Sequence, residues 1–316
     1  VRDPEETKRE MAISKRVRQV RKELKSDSNN VDLQLELGSL FIDGGEFEDA
    51  IKQLKQIISR DNKNGLAYKL LGTAYGMSNH EDEAIRELTR ATELLREDSE
   101  IYFNLGGVFM LKDMFESAAR CFRKVIELDP MDRLGYANLA AAYDVEKKYD
   151  EEVQVLKKIL MFSPEDIELR SALSTAYFNS EKYDEALNHA LCVIELDEKD
   201  PQAYCNLGSC YSAQNMVDEA IKAFQKASEI DPDYSLPHTN LGSLYATVGR
   251  LEKAIKEFKL ATSMNKGDAL AWMNLYQCYK EVGRMEDAQE AYRTYEGILN
   301  QESQGAASDH NNIPGG

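Results

Sequence analysis

Residues 201–234 read PQAYCNLGSCYSAQNMVDEAIKAFQKASEIDPDY, and residues 235–268 read SLPHTNLGSLYATVGRLEKAIKEFKLATSMNKGD. Aligned without a gap, the two stretches match at Asn206-Leu207-Gly208 and Asn240-Leu241-Gly242, at Tyr211 and Tyr245, and at Ala220 and Ala254. Working outward in steps of 34 residues, the small residue after Leu recurs at Gly38, Gly72, Gly106, Ala140, Ser174, Gly208 and Gly242. One further step lands on Tyr276, so the frame continues where the residue departs. Eight units result, starting at residues 31, 65, 99, 133, 167, 201, 235 and 269, with no insertion or deletion. Place 7 is Leu in all eight (Leu37, Leu71, Leu105, Leu139, Leu173, Leu207, Leu241, Leu275), and place 11 is always aromatic, from Phe41 to Tyr279. Place 20 is Ala in seven units. Places 4, 7, 8 and 11 form one stripe of a 3.6-residue helix, and places 20, 24 and 27 form the stripe of a second. Breaks such as Asn215-Met216-Val217-Asp218 or Val248-Gly249-Arg250 separate the two helices, and Asp129-Pro130, Ser163-Pro164 and Asp231-Pro232 stop the second. A helix pair of this length cannot bury both its faces alone, so stability comes from stacking on neighbouring pairs.

These residues resemble the tetratricopeptide repeat, and the resemblance runs unbroken over 31–302. It implies an all-α fold: an α-solenoid of helix-turn-helix repeats coiled into a right-handed superhelix, with the first (A) helix of each pair lining a concave groove. Small residues at places 8 and 20 are expected to let helices A and B approach closely. Two departures stand out. Glu152 occupies place 20 of the fourth unit, and the expectation is that its carboxylate swings to solvent near Lys147 or Lys148, the alternative being a soft joint halfway along the array. Tyr276 at place 8 of the last unit is tolerable because a terminal repeat has no following neighbour.

By the same resemblance, places 2, 5, 6, 9, 12 and 13 of each A helix face the groove. Place 6 then sets Asn104, Asn138, Asn206, Asn240 and Asn274 in a row. A primary amide both donates and accepts, so such a row can pair with peptide N–H and C=O groups whatever the partner's side chains; helix-end and inter-repeat bonds are competing uses. Phe103, Met110, Leu111 and Phe178, with Leu66, Met77, Leu134 and Val145, give repeats 2 to 5 an apolar floor, with Met110 and Phe178 the preferred anchors. Repeats 6 to 8 present Ser, Thr, Gln and Asn instead. Lys69 and Lys280 are the groove's basic residues, in distant repeats, which argues against the clustered cations that clamp a carboxylate terminus.

The chain has 316 residues and a net charge of −17, which disfavours nucleic acid or an anionic membrane as a partner. No apolar run is long enough for membrane insertion. Its five cysteines include no C-x-x-C pair, and its four histidines are scattered, so no metal site and no disulfide framework is expected and a reducing, cytoplasmic setting fits. Cys210 and Cys278 read as small buried hydrophobes. Nucleotide-loop, zinc-helix and serine-nucleophile motifs are missing, so no catalytic residue and no cofactor is expected and the chain does not read as an enzyme.

Residues 1–30 carry nine basic and six acidic residues, and Ile13, Val17, Val20 and Leu24 form a narrow apolar stripe. This segment reads as a half-repeat capping the first unit. Docking of residues 1–25 on another copy, giving a homo-oligomer, is the alternative. Residues 303–316 are polar, Gly-rich and aperiodic, and read as a disordered tail. The functional expectation is a non-catalytic protein-interaction scaffold that holds a partner peptide or segment in its groove. The alternatives are the substrate-recognition array of a larger enzyme such as a glycosyltransferase, or a scaffold that self-assembles through its N-terminal helix.

Overall fold

A computed structural model describes residues 4–311, with side chains described for residues 8–301. Those residues form seventeen α-helices and no strand. The first is α1 (Pro4–Ser26). Eight pairs follow: α2 (Val31–Asp43) and α3 (Phe47–Arg60), α4 (Gly65–Met77) and α5 (Glu81–Leu94), α6 (Ser99–Leu111) and α7 (Phe115–Leu128), α8 (Arg133–Val145) and α9 (Tyr149–Phe162). The later pairs are α10 (Ile167–Asn179) and α11 (Tyr183–Leu196), α12 (Pro201–Ala213) and α13 (Val217–Ile230), α14 (Leu236–Thr247) and α15 (Leu251–Met264), α16 (Ala269–Glu281) and α17 (Met285–Asn311). Even-numbered helices are the A helices of the 34-residue frame. The chain divides into two compact units, one through Ile159 and one from Leu160, and each is an α-solenoid stack of helix hairpins. Helix α17 runs through 303–311, a stretch that its composition assigns to a tail; 312–316 lie outside the described residues.

The same short-range chemistry starts and ends each pair. Place 34 is Asn or Asp before most A helices, and its side chain accepts from a backbone N–H in the first turn, as Asn64 does from Ala67 and Asp200 from Ala203. Tyr234 breaks the rule, and α14 starts one residue late with no side-chain cap. The A–B turn places residue 15 in the left-handed region in all eight repeats: Gly45, Asn79, Asp113, Lys147, Glu181, Asn215, Gly249 and Gly283. The next residue's N–H then reaches back to the carbonyl of the place-11 aromatic, from Glu46 to Phe41 at 2.8 Å through Arg284 to Tyr279 at 2.9 Å. That six-to-one bond is a helix C-cap that reverses the chain in three residues.

The place-7 leucines are buried in all eight repeats, and the place-20 alanines are at most 2% exposed. Place 8 is small for a specific reason: it receives the place-24 side chain. A Cβ on Gly72 would come within 2.5 Å of Leu88, and one on Gly208 within 2.6 Å of Phe224. Where place 8 grows, place 24 answers. Ser174 faces a repeat whose place 24 is Ala190 and donates to the Ala186 carbonyl at 2.9 Å, while Tyr276 stacks obliquely on Tyr292 with centroids 5.0 Å apart.

Glu152 corrects the expectation that it turns to solvent. It is 8% exposed, and among the described residues its Oε2 has no hydrogen-bond partner. Burial, reinforced by the charge of Asp144, pushes its pKa up to about 7. Helix geometry explains the failure: Glu152 shares a stripe with buried Leu156 one turn on, at the place where the other seven repeats bury Ala to 2% exposure or less.

Candidate functional site

In unit 1 the A helices α2, α4 and α6 lie side by side, α2 against α4 and α4 against α6. Their outward places carry Leu66 (42% exposed), Met77 (56%) and Leu111 (67%), with Leu70, Phe103 and Met110 half-buried among them. A cleft of about 360 Å³ between α2 and α4 is lined by Asp32, Leu35, Glu36 and Ser39 of α2 and by Leu66 and Leu70 of α4. Arg16 of α1 grips Glu36 through two bonds, at 2.5 and 2.8 Å. The Phe103 ring meets Phe122 edge-on at 5.9 Å, which engages part of its surface within the protein.

Lys69 does not serve the groove as a cation. Its ammonium is 2.9 Å from Asp98 and 2.5 Å from Glu100, and the residue is buried. Burial alone would lower its pKa, but hydrogen bonds to Glu100 and Asp98 outweigh that and hold it raised. The bond ties α4 to the cap of α6; Thr239 makes the same tie to Asp268 in unit 2 at 2.9 Å.

The asparagines of unit 1 are engaged internally. Asn104 donates to the Thr73 hydroxyl at 3.0 Å, joining α6 to α4, and Asn138 donates to the Leu134 carbonyl one turn back at 2.9 Å. In unit 2 the amides are freer. Asn206 accepts from Gln202 at 2.8 Å, and Gln202 in turn accepts from the Tyr234 hydroxyl. The Asn206 Nδ2 is shut off from solvent and has no hydrogen-bond partner among the described residues. Asn240 lines a cleft of about 230 Å³ with Phe178, Ser209, Ser212, Ser243 and Thr247. Ser243 and Thr247 donate to carbonyls one turn back, at 3.0 and 2.9 Å, which leaves their oxygens as acceptors. Phe178 is tilted against Tyr183 with ring centroids 5.4 Å apart, and Asn274 is half-buried on α16.

Place 9, one of the expected groove places, carries a hydroxyl in five repeats (Ser39, Thr73, Thr175, Ser209, Ser243), though the sequence reading named none of them as a site residue. Burial pushes the thiols of Cys205 to about 12 and of Cys121 and Cys210 to about 11, so none is poised as a nucleophile. No His, Cys, Asp and Glu group among the described residues could hold a metal, and no helix among them is long and apolar enough to cross a membrane.

Four models of the tetratricopeptide repeat match the chain, over residues 11–91, 99–131, 201–234 and 223–256. Together these span more than half of the sequence, and the chain belongs to the tetratricopeptide repeat family. The match over 201–234 coincides with the sixth unit of the frame, and the match from Met11 begins inside α1. No curated protein matches the chain. Among solved structures, the C-terminal part of a repeat protein from Cytophaga hutchinsonii is similar in fold, at 14% identity over 76% of this chain and 99% of that one, with a TM-score of 0.59. YrrB, described as having an unusual peptide-binding site, is 28% identical over 58% of this chain and 95% of its own, with a TM-score of 0.44. MamA from Desulfovibrio magneticus RS-1 is 20% identical over 53% of this chain and 95% of its own, with a TM-score of 0.47.

Proposed function

We propose that the chain is a non-catalytic protein-interaction scaffold that holds partner segments on the outward faces of its A helices, with α1 capping the first repeat. The observation that carries this reading is the cleft on unit 2 in which the half-buried Asn240 amide stands with Ser209, Ser212 and the acceptor oxygens of Ser243 and Thr247. Such groups recognise a peptide backbone, which offers alternating donors and acceptors. Burial of Val17 and Val20 against the first repeat, at 8% and 0% exposed, favours the capping role of α1 over its use in contacts between copies.

The test is the double change Asn206→Ala and Asn240→Ala, with partners recovered by the unaltered chain as bait. Both side chains are only half-buried, so the fold should persist by circular dichroism. Partner affinity should fall by about tenfold, the equivalent of one or two lost hydrogen bonds. Unchanged affinity for a partner that contacts unit 2 sinks the reading.

A further inference from the structure

Unit 1 has a face of different chemistry, and charge decides what fits it. Helices α2, α4 and α6 carry four acids (Asp32, Glu36, Asp43, Glu100) and one base, Lys69. That base is neutralised by Asp98 and Glu100. Asp32 and Asp43 have no ion-pair or hydrogen-bond partner among the described residues, and Asp32 stands in the cleft beside exposed Leu66 and half-buried Leu70. The cleft's other acid, Glu36, already binds a guanidinium, that of Arg16, in a two-pronged pair. Leu66, Leu70 and Met77 lie on one stripe of α4, and Met110 and Leu111 extend the apolar surface on α6.

We infer that this face docks a partner segment that is both aliphatic and cationic, its apolar side chains covering Leu66, Met77 and Leu111 and a Lys or Arg entering the Asp32–Glu36 cleft. The aliphatic stem of such a residue matches the Leu35, Leu66 and Leu70 lining, and its head matches the Asp32 carboxylate beside the Glu36–Arg16 pair. An acidic or purely apolar segment leaves Asp32 uncompensated, and no free cation of α2, α4 or α6 would receive it. The chain's net charge of −17 steers a basic segment toward the protein as a whole; the apolar stripe is what localises it. This inference rests on the scaffold reading above and adds the partner's chemistry.

The experiment uses the full chain and two fluorescent model helices, one of Leu and Lys and one of Leu and Glu with the same spacing. The Leu/Lys helix should bind, the Leu/Glu helix should not, and added salt should weaken the binding. The change Leu66→Ser with Leu111→Ser, both at exposed positions, should reduce affinity by about tenfold or more while leaving the thermal transition in place. Asp32→Asn should weaken binding by a smaller factor, and Glu198→Gln with Glu219→Gln, two exposed acids in unit 2, should leave it unchanged. Equal loss from the unit 2 acids, equal binding of the Leu/Glu helix, or indifference to the two serine changes would each overturn the inference. A partner that depends on Asn206 and Asn240 but not on Leu66 and Leu111 would overturn it too, while leaving the scaffold reading intact.

Discussion

The outward face of unit 1 and that of unit 2 occupy the same places of the same frame, yet one is aliphatic and acidic and the other is built of amides and hydroxyls. In unit 1, place 6 is Glu36, then Leu70, and its two asparagines are tied to Thr73 and Leu134. In unit 2, place 6 gives Asn206, Asn240 and Asn274, and the neighbouring places give Ser209, Ser212, Ser243 and Thr247. Packing explains why this divergence is allowed. Places 7, 8, 11, 20 and 24 fix how each hairpin closes and stacks, and places 7, 11 and 20 are nearly uniform. The outward places touch little, so recognition can differ between regions without cost to the stack.

If the seam is common to both units, truncating it should hurt them equally. Leu139→Ala and Leu241→Ala, both 3% exposed, should each cost about 2–5 kcal/mol in denaturant titration. A cost below about 1 kcal/mol at either site would break the equivalence of the two stacks.

Place 20 offers the next largest contrast, because unit 1 ends with Glu152 where every repeat of unit 2 has Ala. The folded-state pKa of Glu152 is raised to about 7, above that of an exposed carboxyl, so its contribution is most favourable below the ordinary carboxylate pKa and is lost as pH rises through about 7. Glu152→Ala should therefore stabilise the protein by on the order of 2 kcal/mol near pH 8 and by less near pH 6. Thermal midpoints at the two pH values check this; a gain independent of pH would show that the carboxylate does not change its charge on folding.

Smaller effects sharpen the contrast at place 6. Glu36→Asn gives unit 1 the residue of unit 2 and releases Arg16 from a solvent-screened pair, so a small loss of stability is expected. The loss should shrink in high salt, and a salt-independent loss would mean packing, not charge, holds α1 at that point. Smallest is the turn. Lys147 holds φ at 57°, so Lys147→Gly should gain about 0.5 kcal/mol, whereas Gly283→Ala, at φ 79°, should lose about 1 kcal/mol. Opposite signs in calorimetry are the expected result, and like signs would exclude strain at place 15.

Much of the fold was legible because its signals are short-range and repeated. Leu at place 7 and the aromatic at place 11 gave the stripe, polar breaks such as Val248-Gly249-Arg250 and steps such as Asp129-Pro130 gave the ends, and eight copies removed the ambiguity of one. The site was legible only as a set of positions. That Asn104 faces Thr73 rather than a ligand depends on a side chain of the preceding repeat. Lys69 was placed on the groove by its number in the frame and removed from it by Asp98 and Glu100, one repeat onward. Glu152 was expected outside and is inside, since its surroundings, and not its own polarity, set the available directions.

The sequence by itself determined that this chain is a stack of helix hairpins with a 34-residue period, because hydrophobic spacing and turn residues act within one repeat and do not need the rest of the molecule. Only the tertiary structure decided which polar groups remain available, because a hydrogen bond or ion pair between neighbouring repeats joins residues about one period apart and depends on distances that no spacing rule states.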